Sequence, residues 1–97
     1  MAEVVYSAQA LLDIERAFHF LRQENPSAAI DAVAAISSAV DNLRAHPLIG
    51  RRVEAELREL VISYGRTGYV ALYRFVLSRD EVRILALRHQ RELGYLP

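Results

Sequence analysis

Apolar positions change their period along this chain, and each change marks an element. Glu3-Val4-Val5-Tyr6 is short and β-branched, as strands are, and Ser7 then offers a side-chain oxygen to the free amide groups of a following helix. Leu11, Ile14, Phe18 and Leu21 recur at steps of three and four. That spacing sets them on one stripe, with Asp13, Arg16 and Gln23 turned elsewhere, and predicts a helix over Ala8 to Gln23. Asn25-Pro26 is a second start signal, Asn as the cap and Pro in the first turn, where its missing amide hydrogen costs nothing. Ala29, Val33, Ile36, Val40 and Leu43 keep the helical spacing from there, and small Ala32 and Ala35 let a neighbour approach. This second helix is expected to end at His46, because the residue before Pro47 is pushed out of helical backbone space. A link of two or three residues between the helices makes them an antiparallel hairpin.

Beyond the hairpin the runs become strand-like. Leu57 to Tyr64, Tyr69 to Leu77 and Glu81 to His89 are rich in Val, Ile, Leu, Tyr and Phe, and are cut apart by Gly65-Arg66-Thr67-Gly68 and Ser78-Arg79-Asp80. Gaps that short make the neighbours antiparallel. Leu48-Ile49-Gly50-Arg51-Arg52 reads as a connector, and everything before Leu57 as the cover such a meander needs. The predicted architecture is therefore α+β: an N-terminal strand, a two-helix antiparallel hairpin, then a three-stranded antiparallel meander completing one sheet, in a single domain over residues 1–97. In the run from Tyr69, alternation puts Tyr69, Ala71, Tyr73, Phe75 and Leu77 on one face and Val70, Leu72, Arg74 and Val76 on the other. Neither face is polar enough to sit in water, so one is expected to take the helices and the other a second small core or a partner.

Composition narrows the chemistry. The chain of 97 residues has no cysteine, which removes disulfides and thiolate zinc sites and fits a reducing compartment. Glu3 interrupts the only apolar start, and no uncharged run approaches the ~20 residues of a membrane span, so a cytoplasmic protein is expected. The net charge of zero hides an asymmetry: residues 1–50 hold three Arg against six acids, and residues 51–97 nine Arg against six. A basic second half suits an acidic partner, although a solvated surface explains the same excess. No metal-ligand spacing, phosphate-binding glycine loop or nucleophile with an adjacent base is visible, and no cofactor is expected.

Several stretches carry a family resemblance: the strand and helical hairpin, His46-Pro47-Leu48-Ile49-Gly50, Leu57-Arg58-Glu59-Leu60, Gly68-Tyr69-Val70-Ala71-Leu72-Tyr73-Arg74, and Val82 to Glu92. In order, spacing and total length the chain resembles the RelE/ParE toxin superfamily, and leans toward its ParE-like branch. The resemblance implies a toxin of a type II toxin–antitoxin pair of the plasmid-stabilisation kind, silenced by a small antitoxin, with the ribbon-helix-helix type expected. It also leaves two chemistries open. RelE-like members are ribosome-dependent mRNA endonucleases that use basic residues to stabilise developing phosphate charge and a His, Glu or Tyr for proton transfer. ParE-like members poison DNA gyrase by holding it on cleaved DNA. Where the nuclease branch carries basic residues after the Gly-Tyr and in the terminal motif, this chain has Val70 and Gln90. The resemblance therefore favours gyrase as target, with the ribosome and its mRNA, or an inert antitoxin-binding relative, as alternatives.

Site expectations follow residue by residue. If the protein is a nuclease, its catalytic candidates are His89, Arg91 and Tyr95. The expected target-binding set is Arg58, Arg74, Arg83 and Arg88 together with His89, Arg91 and Tyr95. The antitoxin is expected on Leu11, Phe18, Val33 and Val40 of the hairpin and on Leu72 and Arg74 of the sheet. Plainer readings stand beside these. His89 at a strand end is also an ordinary packed histidine, Tyr69, Tyr73 and Phe75 are what a packed strand wants, and Glu54, Glu56 and Glu59 sit among arginines as their partners.

Overall fold

The computed structural model describes residues 1–65 and 67–90. Strand β1 (Glu3–Tyr6) leads into helices α1 (Ala8–Glu24) and α2 (Pro26–Asp41), followed by strands β2 (Arg51–Glu54), β3 (Leu57–Tyr64), β4 (Thr67–Val76) and β5 (Glu81–His89). All five strands form one sheet in the order β1-β5-β4-β3-β2. Strand β1 runs parallel to β5, with Glu3 opposite Glu81 and Tyr6 opposite Ile84, and the remaining neighbours are antiparallel. The α+β expectation and the antiparallel meander hold, but the sheet has one more strand than the sequence announced. Arg51-Arg52-Val53-Glu54 is the edge strand β2 and not a connector, with Arg51 opposite Glu59 and all four residues exposed. An edge strand facing water on both sides needs no apolar alternation, so the usual strand signal is missing from it.

Both helices start where their caps are. The Ser7 hydroxyl accepts the Ala10 amide at 3.0 Å, and the Asn25 side chain accepts the amides of Ser27 and Ala28 at 3.1 and 3.2 Å. Helix α2 ends at Asp41, five residues before the expected His46, and tightens into a 3₁₀ turn over Asn42–Arg44. The tighter turn places Leu43 in the core, fully buried, and presents the Arg44 carbonyl to the amide of Ala2 at 2.9 Å. Strand β4 begins earlier than expected. Ser63 pairs with Gly68 and Tyr64 with Thr67, and Gly65, just past the end of β3, has φ +60°. At the far end Leu77 is not part of the strand face. It lies in a 3₁₀ turn and is 81% exposed.

The helices cover one face of the sheet. Ile36, Val40 and Leu43 meet Tyr73, Val82 and Ile84, and all six are essentially inaccessible. Helix α1 is rotated relative to its expected stripe: Leu11 is 55% exposed, while Ala10 and Asp13 are buried and Ile14, Ala17 and Leu21 pack on the core. The small side chain of Ala10 lets the first turns of α1 come close to the sheet, and the strand supplies a hydrogen bond that makes a carboxylate tolerable there. Gly50 allows a second close approach. Its amide donates to the buried Tyr73 hydroxyl at 2.8 Å, and a Cβ at that position would sit 2.5 Å from the Tyr73 ring. Among the described residues no helix is long and apolar enough to cross a membrane.

Candidate functional site: the outer sheet face and the cleft beside strand β5

Strand pairing decides which candidate side chains share a face. Arg74 stands directly opposite Arg83 across β4 and β5, on the face turned away from the helices. Arg58 is opposite Tyr73 and so belongs to the helix-covered face, which separates it from the other two. Its guanidinium donates to the carbonyls of Leu48 and Gly50 at 3.1 and 2.9 Å and pins the loop that precedes β2. Of the expected target-binding arginines, Arg74 and Arg83 thus share a face that Arg58 does not, because one step along a strand reverses the face.

On the outer face the cations are mostly matched internally. Arg83 bonds Glu81 at 2.6 Å, Arg51 bonds Glu59 at 2.7 Å, and Arg88 lies 3.9 Å from the same Glu59. Arg74 makes no hydrogen bond or ion pair with another described residue. Around these charges the face is apolar: Val61 is 59% and Val5 41% exposed, Leu72 and Val76 are half-buried, and Val70 and Ala86 are flush with the sheet.

The end of β5 is shaped by a bulge. Leu72 pairs with Ala86 while Tyr73 pairs with Ile84, so Leu85 is the extra residue. Before the bulge Val82 and Ile84 face the helices, and after it Leu87 and His89 do, while Ala86 and Arg88 take the other side. Strand β1 stops opposite Ile84, so α1 must satisfy the edge of β5 beyond that point. The Ser7 amide donates to the Ile84 carbonyl at 2.9 Å, the Ser7 hydroxyl donates to the Leu85 carbonyl at 2.9 Å, and the Leu87 amide donates to Asp13 Oδ2 at 2.8 Å. Gln9 donates to the other Asp13 oxygen at 2.8 Å, with Arg16 3.6 Å away.

Beside this clamp a cleft of about 460 Å³ opens between α1 and the ends of β4 and β5. That size falls within the range of ligand and side-chain pockets. Asp13, Ala17, Tyr69 and Leu87 line it along with Phe20, which is 66% exposed, and Arg16, Arg88 and His89 complete the lining. The His89 ring meets Tyr69 edge-on at 5.4 Å between centroids.

Of the expected site residues, His89 faces this cleft, Arg88 borders it with its side chain on the outer face, and Arg74 and Arg83 lie on that outer face. Arg91 and Tyr95 fall outside the described residues. For the antitoxin set, Leu11 is exposed, Phe18, Val33, Leu72 and Arg74 are half-buried, and Val40 is 1% exposed in the core, which leaves a partner nothing to touch there. Tyr69 and Tyr73 are buried and Phe75 packs on the core, as their packing reading required. The sequence reading passed over Asp13, Arg16 and Phe20. An aromatic residue off the helical stripe, as Phe20 is, was the available signal.

The family model described as ParE toxin of type II toxin-antitoxin system, parDE, matches residues 4–94. Toxin RelE3 of Caulobacter vibrioides is 36% identical over 92 residues, covering 95% of this chain and 98% of that protein. Toxin RelE2 of the same organism is 33% identical over 93 residues, covering 96% and 100%. Among solved structures, the chromosomal ParDE system from P. aeruginosa superposes with a TM-score of 0.75 at 25% identity, over 92% of this chain and 96% of that one. The intact E. coli RelBE toxin–antitoxin complex gives 0.64 at 10% identity, over 95% and 100%, a likeness of fold alone. The chain belongs to the ParE toxin family of type II toxin–antitoxin systems, within the RelE/ParE superfamily.

Proposed function

We propose that this toxin acts in the cytoplasm by binding DNA gyrase and holding it on cleaved DNA, and that its own antitoxin silences it by covering the outer sheet face and the exposed side of α1. The observation that carries the target is the state of the cations. Cleaving RNA through its own 2′-hydroxyl requires cationic groups converging on a phosphate whose charge grows in the transition state, and losing one such donor costs about 10²–10³ in rate. Here Arg83 is tied to Glu81, Arg51 and Arg88 to Glu59, and the positions where nuclease members carry basic residues read Val70, flush with the sheet, and Gln90. A binding surface makes no such demand. Exposed apolar residues interrupted by arginines, such as Val5, Val61, Arg74 and Arg83, suit a protein partner.

The antitoxin reading is supported by the family, described as toxins of type II toxin-antitoxin systems, and by the likeness to the ParDE system from P. aeruginosa. Its contact surface here is drawn from Leu11, Leu12 and Phe20 on α1, all more than half exposed, with Leu72 and Arg74 on the sheet. Acidic side chains of the antitoxin would meet Arg74.

Purified toxin decides the target in two assays run side by side. The expected result is inhibited supercoiling with trapped, cleaved DNA and intact message in programmed ribosomes. Codon-specific cleavage of ribosome-bound mRNA with undisturbed supercoiling overturns the reading and transfers the toxin to the nuclease class. For the antitoxin surface, hydrogen exchange of the complex against free toxin is expected to show protection over α1 and the outer strands, and no change there overturns it.

A further inference from the structure

Asp13 is the buried charged side chain among the described residues, 1% exposed, and the proposed gyrase contact makes no direct use of it. Its place explains why it is there. Past Ile84 the strand β5 has no strand neighbour on its β1 side, and a free Leu87 amide inside the protein would be costly. Asp13 accepts that amide from nearly two turns further along the same helix whose cap, Ser7, holds the Leu85 carbonyl. Ser7 and Asp13 thus grip β5 on either side of the bulge. The bulge in turn decides which way the strand end faces: with Leu85 as the extra residue, Arg88 turns outward and His89 turns toward Tyr69 and the cleft. In a regular strand continuing the alternation of Val82 and Ile84, Arg88 would point under the helices and His89 away from them.

We infer that Asp13, with Ser7, is a positioning residue for the toxic surface, because its bond to the Leu87 amide across the Leu85 bulge fixes Arg88 on the outer face and His89 in the cleft. The inference rests on the proposed function, binding to a target, together with the sequence expectation that Arg88 and His89 belong to the target-binding set. It does not depend on which target that is. A carboxylate suits the task because its second oxygen takes Gln9 and lies near Arg16, so the charge is met on both sides while the strand amide is held. Asparagine keeps an acceptor for the Leu87 amide, and Gln9 can turn its carboxamide to meet the new donor. Alanine supplies no acceptor.

The test compares Asp13→Ala, Asp13→Asn and Ser7→Gly, the last removing the Leu85 contact while glycine remains an acceptable helix cap. Ile36→Val serves as a control destabilised elsewhere. Each is expressed in cells for growth arrest, assayed on gyrase, and followed at the Leu87 amide by hydrogen exchange under conditions where circular dichroism shows a folded chain. In Asp13→Ala the Leu87 amide is expected to exchange about tenfold faster or more relative to Ala71, the scale of one hydrogen bond to a charged group. Growth arrest should weaken by a similar factor, with Asp13→Asn restoring both and Ile36→Val leaving growth arrest intact. Should Asp13→Ala not fold, Ser7→Gly is expected to weaken growth arrest while remaining folded. Full toxicity in a folded Asp13→Ala or Ser7→Gly, or an Asp13→Asn no better than alanine, overturns the inference. Growth arrest without any effect of the wild-type toxin on gyrase would instead overturn the target and leave the positioning result standing.

Discussion

The two faces of the sheet are drawn alternately from the same strands, yet they behave as different materials. Under the helices, Tyr73, Val82 and Ile84 are sealed against Ile36, Val40 and Leu43, and the polar atoms present are matched, as the Tyr73 hydroxyl is by the Gly50 amide. On the outer face Val61 and Val5 stand in solvent, and Arg74 lies directly opposite a second arginine. Like charges facing each other across a strand pair cost stability. The inner face is thus arranged for stability, and the outer face keeps a small internal conflict that a partner can relieve.

Substitutions of matched kind should separate the faces. The largest expected effect is Ile36→Ala, which opens a cavity under the sheet and should lower unfolding free energy by about 2–5 kcal/mol; Val61→Ala on the outer face should change it by about 0.5 kcal/mol or less. Denaturant titration of both variants checks the contrast, and similar losses at the two sites would break it. Next is Tyr73→Phe, which leaves the buried Gly50 amide without its acceptor and should cost about 1–3 kcal/mol, read in the same titration. Smaller still is Arg74→Glu. It places an acid opposite Arg83 and should stabilise the free toxin by about 0.2–1 kcal/mol, an effect that fades as salt is added, while weakening antitoxin binding in calorimetry.

These contrasts also mark what could be read from the sequence. The caps at Ser7 and Asn25, the paired helices and the three long strands each carry a local signature and all are present, with α2 ending earlier than expected and β4 starting and ending earlier. Three features had no local signature. Strand β2 is polar because both its faces are wet, the stripe of α1 is rotated because Asp13 is satisfied by a strand 74 residues away, and the Leu85 bulge lies in Ile84-Leu85-Ala86-Leu87, where every residue is apolar and alternation is invisible. For the same reason the sequence could not say whether Arg58 shares a face with Arg74 and Arg83, since the face of a strand residue is settled only by pairing.

The smallest expected effect is in alkali. Burial raises the pKa of both Tyr73 and Tyr6 from the ordinary 10.0, against the opposing pull of the Gly50 amide and Arg58 on the first and of Arg44 on the second. With the folded value above the unfolded one, the contribution to stability is complete below pH 10 and is lost as the pH climbs toward the folded values, because the unfolded chain releases those protons first. Thermal melts above pH 10 should therefore show a steeper fall in the wild type than in a Tyr6→Phe, Tyr73→Phe double variant, and equal slopes would remove these tyrosines as the cause.

Pairing β1 with β5 also has a consequence in time. Glu3 to Tyr6 can find their neighbours only after Glu81 to Ile84 have been made, and the Ser7 hydroxyl waits 78 residues for the carbonyl it holds. At about 5–20 residues per second, roughly 4–16 seconds of synthesis separate the two. Until then the emerging chain carries two amphipathic helices and an unpaired first strand. A message cut short before β5 would yield a polypeptide without Arg88, His89 or the bulge that sets which way they face, and with β1 and the β1-side of the sheet left unpaired.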